Sequence, residues 1–355
     1  MRKFKYILQE IKKIKKIIEG ESYYSEKIRK SKLIRYFDNL VHLLKYREAN
    51  EFYNLYGMDV KTFNKQEYIN YRSFRIIRNK KNLKKNEEFN YVCLLRDKEL
   101  FNMILEKSGY GINIPIIKYK ILHKKIFSDN TLILAEKFMK ENDKKTLFIK
   151  DSKGECGEEI FQIEIKNNKV YYSDSYFSWD EFLSKLSDKE YIVQEKLIQN
   201  KKMSELYDKS VNTIRIITVK NETTDEIDII AKLLRIGTNK NYVDNWAKGG
   251  VVVGINDDGT LKKYAFFKPG YGTKIEEHPI SKVRFQGFKI PNYEIIIDEI
   301  KKIHKLFKNI HSIGWDIAIT EKGFTIIEGN DNYEIALHQA VDEKTYKYII
   351  KEKLL

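Results

Sequence analysis

The sequence predicts an α+β protein: antiparallel sheets with helices packed on them, preceded by a basic helical region. Three observations predict it. Near the start, apolar residues recur at helical spacing between lysines. From Thr146 to Asn330, β-branched residues crowd short runs that fit pleated, half-buried surfaces. No alternating strand–helix rhythm appears, which argues against a barrel or a dinucleotide-binding parallel sheet. With 355 residues, 42% of them hydrophobic, the chain can bury a large core and divide into two or three lobes.

In chain order, Ile7, Leu8, Ile11, Ile14 and Ile18 mark a first helix with Lys12, Lys13, Lys15 and Lys16 between them. Such a helix either packs on its own domain with its lysines solvated or lies on an anionic membrane. A second helical stretch covers about Ser25 to Tyr46. The segment from Tyr91 reads as a short strand, then a helix from Lys98 with Asp97 as N-cap, then an extended run through Pro115. Another helix is expected over Thr131 to Glu141. TLFIK (146–150) is a strand, and FQIEI with VYYSDSY forms a hairpin about Asn167 and Asn168. WDEFLSKLS is a helix, and YIVQEKL, TIRIITV, EIDIIAKLLRI and GGVVVGIN are strands. A late helix runs from Tyr293 to Phe307. GWDIAIT and GFTIIEGN close the core through a tight turn at Glu321 to Gly323, and a last helix is expected over Glu343 to Glu352.

The formal charge of +15 favours anionic partners such as nucleotides, acidic sugars or anionic membrane, although it also serves solubility. No nucleic-acid-binding module is present, and no nucleic-acid partner is expected. Two cysteines, Cys93 and Cys156, form no CxxC pair and fit a reducing compartment. The opening segment has no long apolar core, and no stretch reaches the length of a membrane span. The expected location is cytoplasmic, at most peripheral to the inner face of the membrane.

The chemistry concentrates at four places. In WDIAIT the two-residue period puts Trp315, Ile317 and Ile319 on one face and Asp316 on the other, and Glu328 and Asn330 share a face in TIIEGN. Two carboxylates and a carboxamide on a rigid hairpin suit the oxygen-rich, octahedral shell of magnesium. They would otherwise be solvated acids, but an unpaired charge in so apolar a strand is costly. Lys150 ends a strand and precedes the glycine-bearing loop from Asp151 to Gly157, whose backbone could approach phosphate oxygens. The loop could equally be a simple turn. Gln194 and Glu195 lie where a strand leaves a core and could meet an adenine edge. Arg215 and Arg235 sit among apolar strand residues, where each pairs with a carboxylate or a phosphate.

In this order the pieces resemble an ATP-grasp enzyme, over about Phe89 to Gln339. The closest resemblance is to the sugar-transfer-associated ATP-grasp family, itself similar to ribosomal-protein glutamate ligases. It is carried by SVNTIRI, RIG…VDN…GG, HPISKVRFQGFKIP and GWDIAIT…GFTIIEGN. The resemblance implies an ATP-grasp fold, two α+β subdomains enclosing a nucleotide cleft. The divisions are 1–88 for the basic helical region, 89–143 for a connecting region, 144–200 for a small lid subdomain, and 201–355 for the subdomain with the magnesium site.

It also implies roles. Lys98 and Lys150 would reach the ATP phosphates. Ser152, Gly154 and Gly157 belong to the loop closing over them, which departs from the family pattern at Glu155 and Cys156. Gln194, Glu195 and Leu197 would form the adenine hinge, with Glu195 near the exocyclic amine. As catalytic residues, Arg215 would hold the transferred phosphate or acyl phosphate, and Arg235 and Asn245 would be the pair ahead of the second glycine turn. Asp316, Glu328 and Asn330 would hold two Mg2+ ions, with Mn2+ as a substitute, and His278 and Gln339 are substrate-side candidates. The implied reaction joins a carboxylate to an amine through an acyl phosphate, with ADP and phosphate released. The carboxylate would belong to a sugar or glycan of bacterial surface-polysaccharide synthesis, and the basic helices would suit a lipid-linked one. Two rival readings stay open: a kinase on the same fold, and a non-catalytic basic binding protein.

Overall fold

The computed structural model describes residues 2–63, 68–83, 89–154, 159–238, 244–342 and 349. Three helices lead: α1 (Arg2–Glu19), α2 (Lys32–Tyr46) and α3 (Tyr71–Leu83). The Ser31 hydroxyl caps α2 by accepting from the Ile34 N–H, so this helix begins later than the Ser25 expected. Two short helices follow, α4 (Cys93–Arg96) and α5 (Lys98–Leu105). The predicted strand at Tyr91 is therefore a helical turn: Leu95 is buried in the same core as Phe101, and the Asp97 side chain caps α5 at Glu99 and Leu100.

The first sheet contains β1 (Ile117–Leu122), β2 (Lys125–Ser128), β3 (Thr131–Ile133), β4 (Thr146–Asp151), β5 (Ile160–Lys166), β6 (Lys169–Tyr172), β7 (Ser175–Phe177) and β8 (Tyr191–Glu195). Its order is β3-β2-β1-β8-β4-β5-β6-β7, antiparallel throughout. Helices α6 (Ala135–Glu141) and α7 (Trp179–Ser184) belong to this lobe. Phe138, Leu147, Ile149, Phe182 and Val193 share its core. Two-residue turns with both residues in the left-handed region connect its hairpins, at His123-Lys124, Asp129-Asn130, Asn167-Asn168 and Ser173-Asp174. Their backbone twist matches that of the flanking strands. The turn at Asp129 makes residues 131–133 a strand where a helix was expected. The turn at Ser173 splits VYYSDSY into β6 and β7. Because β1 pairs with β8, strands of the expected connecting region 89–143 are part of the same sheet as those of 144–200.

The second sheet follows α8 (Lys201–Ser204) and has the order β13-β12-β11-β10-β9-β14-β15. Its strands are β9 (Thr213–Lys220), β10 (Ile227–Ile236), β11 (Val251–Ile255), β12 (Leu261–Phe267), β13 (Lys274–Ile275), β14 (Ser312–Thr320) and β15 (Gly323–Asn330), with α9 (Tyr293–His304) and α10 (Ala336–Val341). The strand β12 was not anticipated: its lysines break the apolar pattern. The last helix expected, over 343–352, lies almost wholly outside the described residues.

This sheet is covered on both faces. Ile214, Ile216, Leu234, Trp315 and Ile317 point into a core shared with Phe101, Ile296, Ile300 and Ile303. On the other face Ile217, Val219 and Leu233 meet the helical region through Phe74, Phe52, Leu55 and Tyr56. Buried polar contacts fix that docking: Asn82 of α3 donates to the Ser312 carbonyl at 2.9 Å, and Arg78 donates to the Tyr333 carbonyl and Asn332. The face of the second sheet that carries Arg215 is thereby partly roofed by the N-terminal helices.

Candidate active site

Strand alternation aims the polar residues of the second sheet at one face. On β9, Thr213 and Arg215 continue the row of Ile217 and Val219, and Arg235 follows Leu233 on β10. In the register of the last strands Arg215 lies opposite Asp316, and Asp316 lies opposite Glu328. The hairpin thus brings together residues 12 positions apart, and β9 adds a residue a hundred positions away.

The resulting cluster is centred on buried Asp316, with half-buried arginines around it, and is charge-compensated. Asp316 accepts from Arg215 Nη2 at 2.9 Å and lies 3.0 Å from Arg235 Nη2. Arg235 also donates through Nε to Thr213 Oγ1 at 2.9 Å and sits 3.5 Å from Asp244, which binds the backbone N–H of Thr213. Burial works to raise the Asp316 carboxyl, but Arg215 and Arg235 outweigh it and hold it below the ordinary value. Burial also works against the Arg235 guanidinium, yet Asp244, Asp316 and Glu328 keep it above its usual value. Glu328 is in the opposite position: burial, then the charge on Asp316, raises its carboxyl. Asn330 donates to Glu328 Oε1 at 3.1 Å. The strand end itself is anchored by a bidentate pair, Arg96 Nε and Nη2 to Asp331 at 2.8 and 2.7 Å.

Gly314 makes room for this arrangement. A Cβ there would meet Tyr333 Cβ at 2.5 Å and Arg215 Nη1 at 3.2 Å. Gly314→Ala is expected to cost about 1–3 kcal/mol by overpacking and to disturb Arg215. Denaturant melts of the two proteins would check it, and equal midpoints would show that the strand tolerates the methyl group.

The first sheet supplies the facing wall. Lys150 donates to Gln194 Oε1 at 3.0 Å, and Gln194 Nε2 donates to the Pro115 carbonyl at 3.2 Å. Burial lowers Lys150 to about 8; Glu328 opposes the shift, and Lys98 adds to it. That Lys150 senses Glu328 links the two sheets across one cavity. The cavity has a volume of about 1640 Å³ and is lined by Lys98, Lys150, Gln194, Leu197, Arg215, Arg235, Asn245, Asp316, Glu328 and Asn330, among others.

Several expected residues stand differently from the expectation. The Glu195 carboxylate accepts from Lys118 and Lys145, each at 3.1 Å, so it is committed to these lysines rather than placed for an adenine amine, although the residue borders the cavity. Lys98 donates to the carbonyls of Asp151 and Gly154 at 3.0 and 2.7 Å and so tethers the glycine-bearing loop. Ser152 is buried outside the cavity lining, its backbone bonded to Glu190 and Lys98. Gly157 lies outside the described residues. Asn245 caps the turn at Trp246 by accepting from the Ala247 N–H at 2.8 Å. His278 is fully buried away from the cavity lining; its Nε2 meets the Gly237 carbonyl at 2.8 Å and Nδ1 accepts from the Ser281 N–H. Gln339 is likewise structural, bonded to both backbone groups of Ile69. Neither His278 nor Gln339 is placed to touch substrate.

The residue missed was the neighbour of Gln339. His338 is fully buried, lines the cavity, and has no aligned hydrogen-bond partner at either ring nitrogen. Burial, then the charge of Arg215, lowers it to about 3, while the nearby backbone of Arg215 and Glu334 favours the charged form without achieving bonding alignment. Glu334 lies beside it and accepts from the Tyr71 hydroxyl at 2.9 Å. A lone histidine in a short helix carries no periodic signal; only the packing of α10 on the second sheet, which brings it near Arg215, gives it meaning.

Among the described residues no group of three or more His, Cys, Asp or Glu side chains forms a metal site. The donor set at hand is two carboxylates and a carboxamide. It fits a divalent cation in one respect: buried Asp316 and half-buried Glu328 are like charges on facing strands, and the unfavourable charge on Glu328 is what such an ion would relieve.

Two antiparallel sheets gripping one cavity, with lysine on one wall and acids and arginines on the other, define an ATP-grasp fold. The chain belongs to the sugar-transfer associated ATP-grasp family, whose model matches residues 77–351. Solved structures with similarity include N5-carboxyaminoimidazole ribonucleotide synthetase from Thermotoga maritima, at 14% identity over 68% of this chain and 42% of that one, TM-score 0.35. The D-alanine-D-alanine ligase from Coxiella burnetii matches at 10% identity over 74% and 54%, TM-score 0.36. The VanG D-Ala:D-Ser ligase from Enterococcus faecalis matches at 14% identity over 74% and 62%, TM-score 0.41. The chain spans less than two thirds of the length of each of these structures. No curated protein matches the sequence.

Proposed function

We propose that this protein is an ATP-dependent ligase that joins a carboxylate to an amine through an acyl phosphate. The observation that carries the reading is the single cavity with Lys150 on one wall and Arg215, Arg235, Asp316, Glu328 and Asn330 on the other. Its 1640 Å³ exceeds the roughly 300–1,000 Å³ typical of a site for one small molecule, which supports a nucleotide and an acceptor bound together.

On this reading Lys150 and Lys98 stand at the phosphates, and the backbone beyond Gln194, with Leu197, borders the adenine. Asp316, Glu328 and Asn330 would hold Mg2+, two ions with Mn2+ as substitute. The metal would supply neutralisation of charge on the phosphates. Arg215 and Arg235 would neutralise charge as the substrate carboxylate oxygen attacks the γ-phosphorus, the bond to the bridging oxygen breaks and ADP leaves. The amine then attacks the acyl carbon, phosphate departs, and one proton is released. Glu334 borders the cavity, and burial raises its carboxyl, so it would be the group that receives that proton. The protein's contribution is mainly placement and preorganised charge.

For the acceptor we propose a carboxyl-bearing sugar or glycan in bacterial surface-polysaccharide synthesis, handled in the cytoplasm. The family's association with sugar transfer and the basic exterior support this. The test is incubation with ATP, Mg2+, hydroxylamine and a panel of uronic acids. ADP release with hydroxamate formation is expected. A kinase would release ADP with a phosphorylated hydroxyl and no hydroxamate, and absence of both ADP and hydroxamate across the panel would remove the ligase reading.

A further inference from the structure

Helix α2 is inside out. Its buried positions are polar: Arg35 donates to the Ile18 carbonyl at 2.7 Å, and Asn39 is fully buried and donates to the Arg35 carbonyl. Its apolar stripe faces outward, with Leu33, Phe37 and Leu44 exposed at 83%, 68% and 82%, and Leu40 beside them. The spacing 33, 37, 40, 44 places them along one side of the helix. A contiguous exposed apolar stripe marks a surface that meets something.

Helix α1 extends the same surface. The Tyr6 hydroxyl donates to the Arg47 carbonyl at 2.7 Å, which sets the start of α1 against the end of α2. Ile7, Leu8 and Ile11 are exposed there. The charges around the apolar residues are nearly all of one sign: Lys5, Lys12, Lys15 and Lys16 on α1 and Lys32 and Lys45 on α2 are exposed, against Glu19.

We propose that the outer face of α1 and α2 docks on the surface of an anionic lipid bilayer. Charge complementarity selects this occupant. A second copy packed on the same face would bring lysines against lysines, whereas anionic headgroups attract each one while the leucines and Phe37 enter the acyl boundary. No described helix is long and apolar enough to cross a membrane, so the contact is peripheral. The cavity is lined at this end by Tyr6, Lys13, Val41 and Lys45, so docking brings its rim to the bilayer. Resting on the ligase reading, the acceptor would then be an anionic glycan carried on a lipid.

The test is co-sedimentation of the full chain with vesicles of phosphatidylcholine alone or mixed with phosphatidylglycerol. Binding is expected only to the mixed vesicles, and it should weaken with salt. The combined variant Leu33→Gln, Phe37→Gln, Leu44→Gln is expected to lose binding on the order of tenfold or more, as is Lys12→Glu with Lys16→Glu. None of these residues lines the cavity, so a thermal shift on adding ATP and Mg2+ in the variants shows that they fold. Equal sedimentation of the wild type and both variants would overturn the proposal. So would a wild-type dimer in solution that the apolar variant dissociates, since a second copy would then own the face. Because no ligase substrate enters this assay, its failure leaves the hydroxamate result standing, and the reverse holds.

Discussion

Asp316→Asn is expected to lower ATP-dependent turnover by at least about 10³-fold, at the upper end for loss of a preorganised electrostatic group, and to destabilise the fold. The substitution keeps the shape and removes one charge. Two consequences follow from what surrounds it. Arg215 and Arg235 both converge on this carboxylate, at 2.9 and 3.0 Å, so its loss leaves two partly buried guanidinium groups facing each other. Removing one partner of a buried ion pair costs about 3 kcal/mol or more. The same charge also raises the Glu328 carboxyl, so in the variant that carboxyl should titrate closer to its ordinary value. ADP release and urea denaturation measure the two effects separately. Adding Arg215→Met to Asp316→Asn is expected to recover stability and no activity, because the two residues are directly coupled. If Asp316→Asn kept more than a tenth of wild-type turnover, this carboxylate could not be holding the cation on which phosphoryl transfer depends.

Lys150→Met is expected to reduce kcat/KM for ATP by about 10²-fold, the cost typical of one lost electrostatic donor. Lys150 is a compact charge near the end of β4, held to Gln194 and half-buried in the cavity wall. The pH dependence supplies a sharper test. Burial disfavours its charged form and brings its pKa down to about 8. The charged form is the one that attracts phosphate, so kcat/KM for ATP should fall as pH rises through about 8. Bound nucleotide adds negative charge and favours the ammonium, so the corresponding fall in kcat should lie at higher pH. Lys150→Arg should remove the limb near pH 8, because a guanidinium stays charged there. A wild-type profile flat from pH 7 to about 9 would rule out Lys150 as the titrating phosphate contact.

The fold was legible where local rules act alone. Trp315, Ile317 and Ile319 alternate against Asp316, and the tight turn before Gly323 forces β14 and β15 into register, so Asp316 and Glu328 come together from one short stretch of chain. The hairpin at Asn167-Asn168 was equally plain, since asparagine tolerates the left-handed conformation both residues adopt. Local rules misled where a turn hid among ordinary residues. Ser173-Asp174 and Asp129-Asn130 reverse the chain as Asn167-Asn168 does, but sit inside runs that read as a strand or a helix.

The candidate site divides the same way. Lys150, Arg215, Arg235 and the acidic hairpin could be named from residue type and strand position. Their partners could not. That Glu195 is claimed by Lys118 and Lys145, or that Lys98 ties down the loop carbonyls, depends on which strands and helices become neighbours. His278 and His338 are both buried histidines; one spends both nitrogens on backbone, while the other faces the cavity without an aligned partner.

By itself, then, the sequence determined the strand periods, the hairpins and the types of charged group that enter the second sheet, because these depend on neighbours a few residues apart. The tertiary structure decided which charges compensate one another, that the helical region roofs the site, and that α2 turns its leucines outward. Those outcomes depend on burial and on pairings across a hundred residues or more, as between Arg215 and Asp316, which no local pattern encodes.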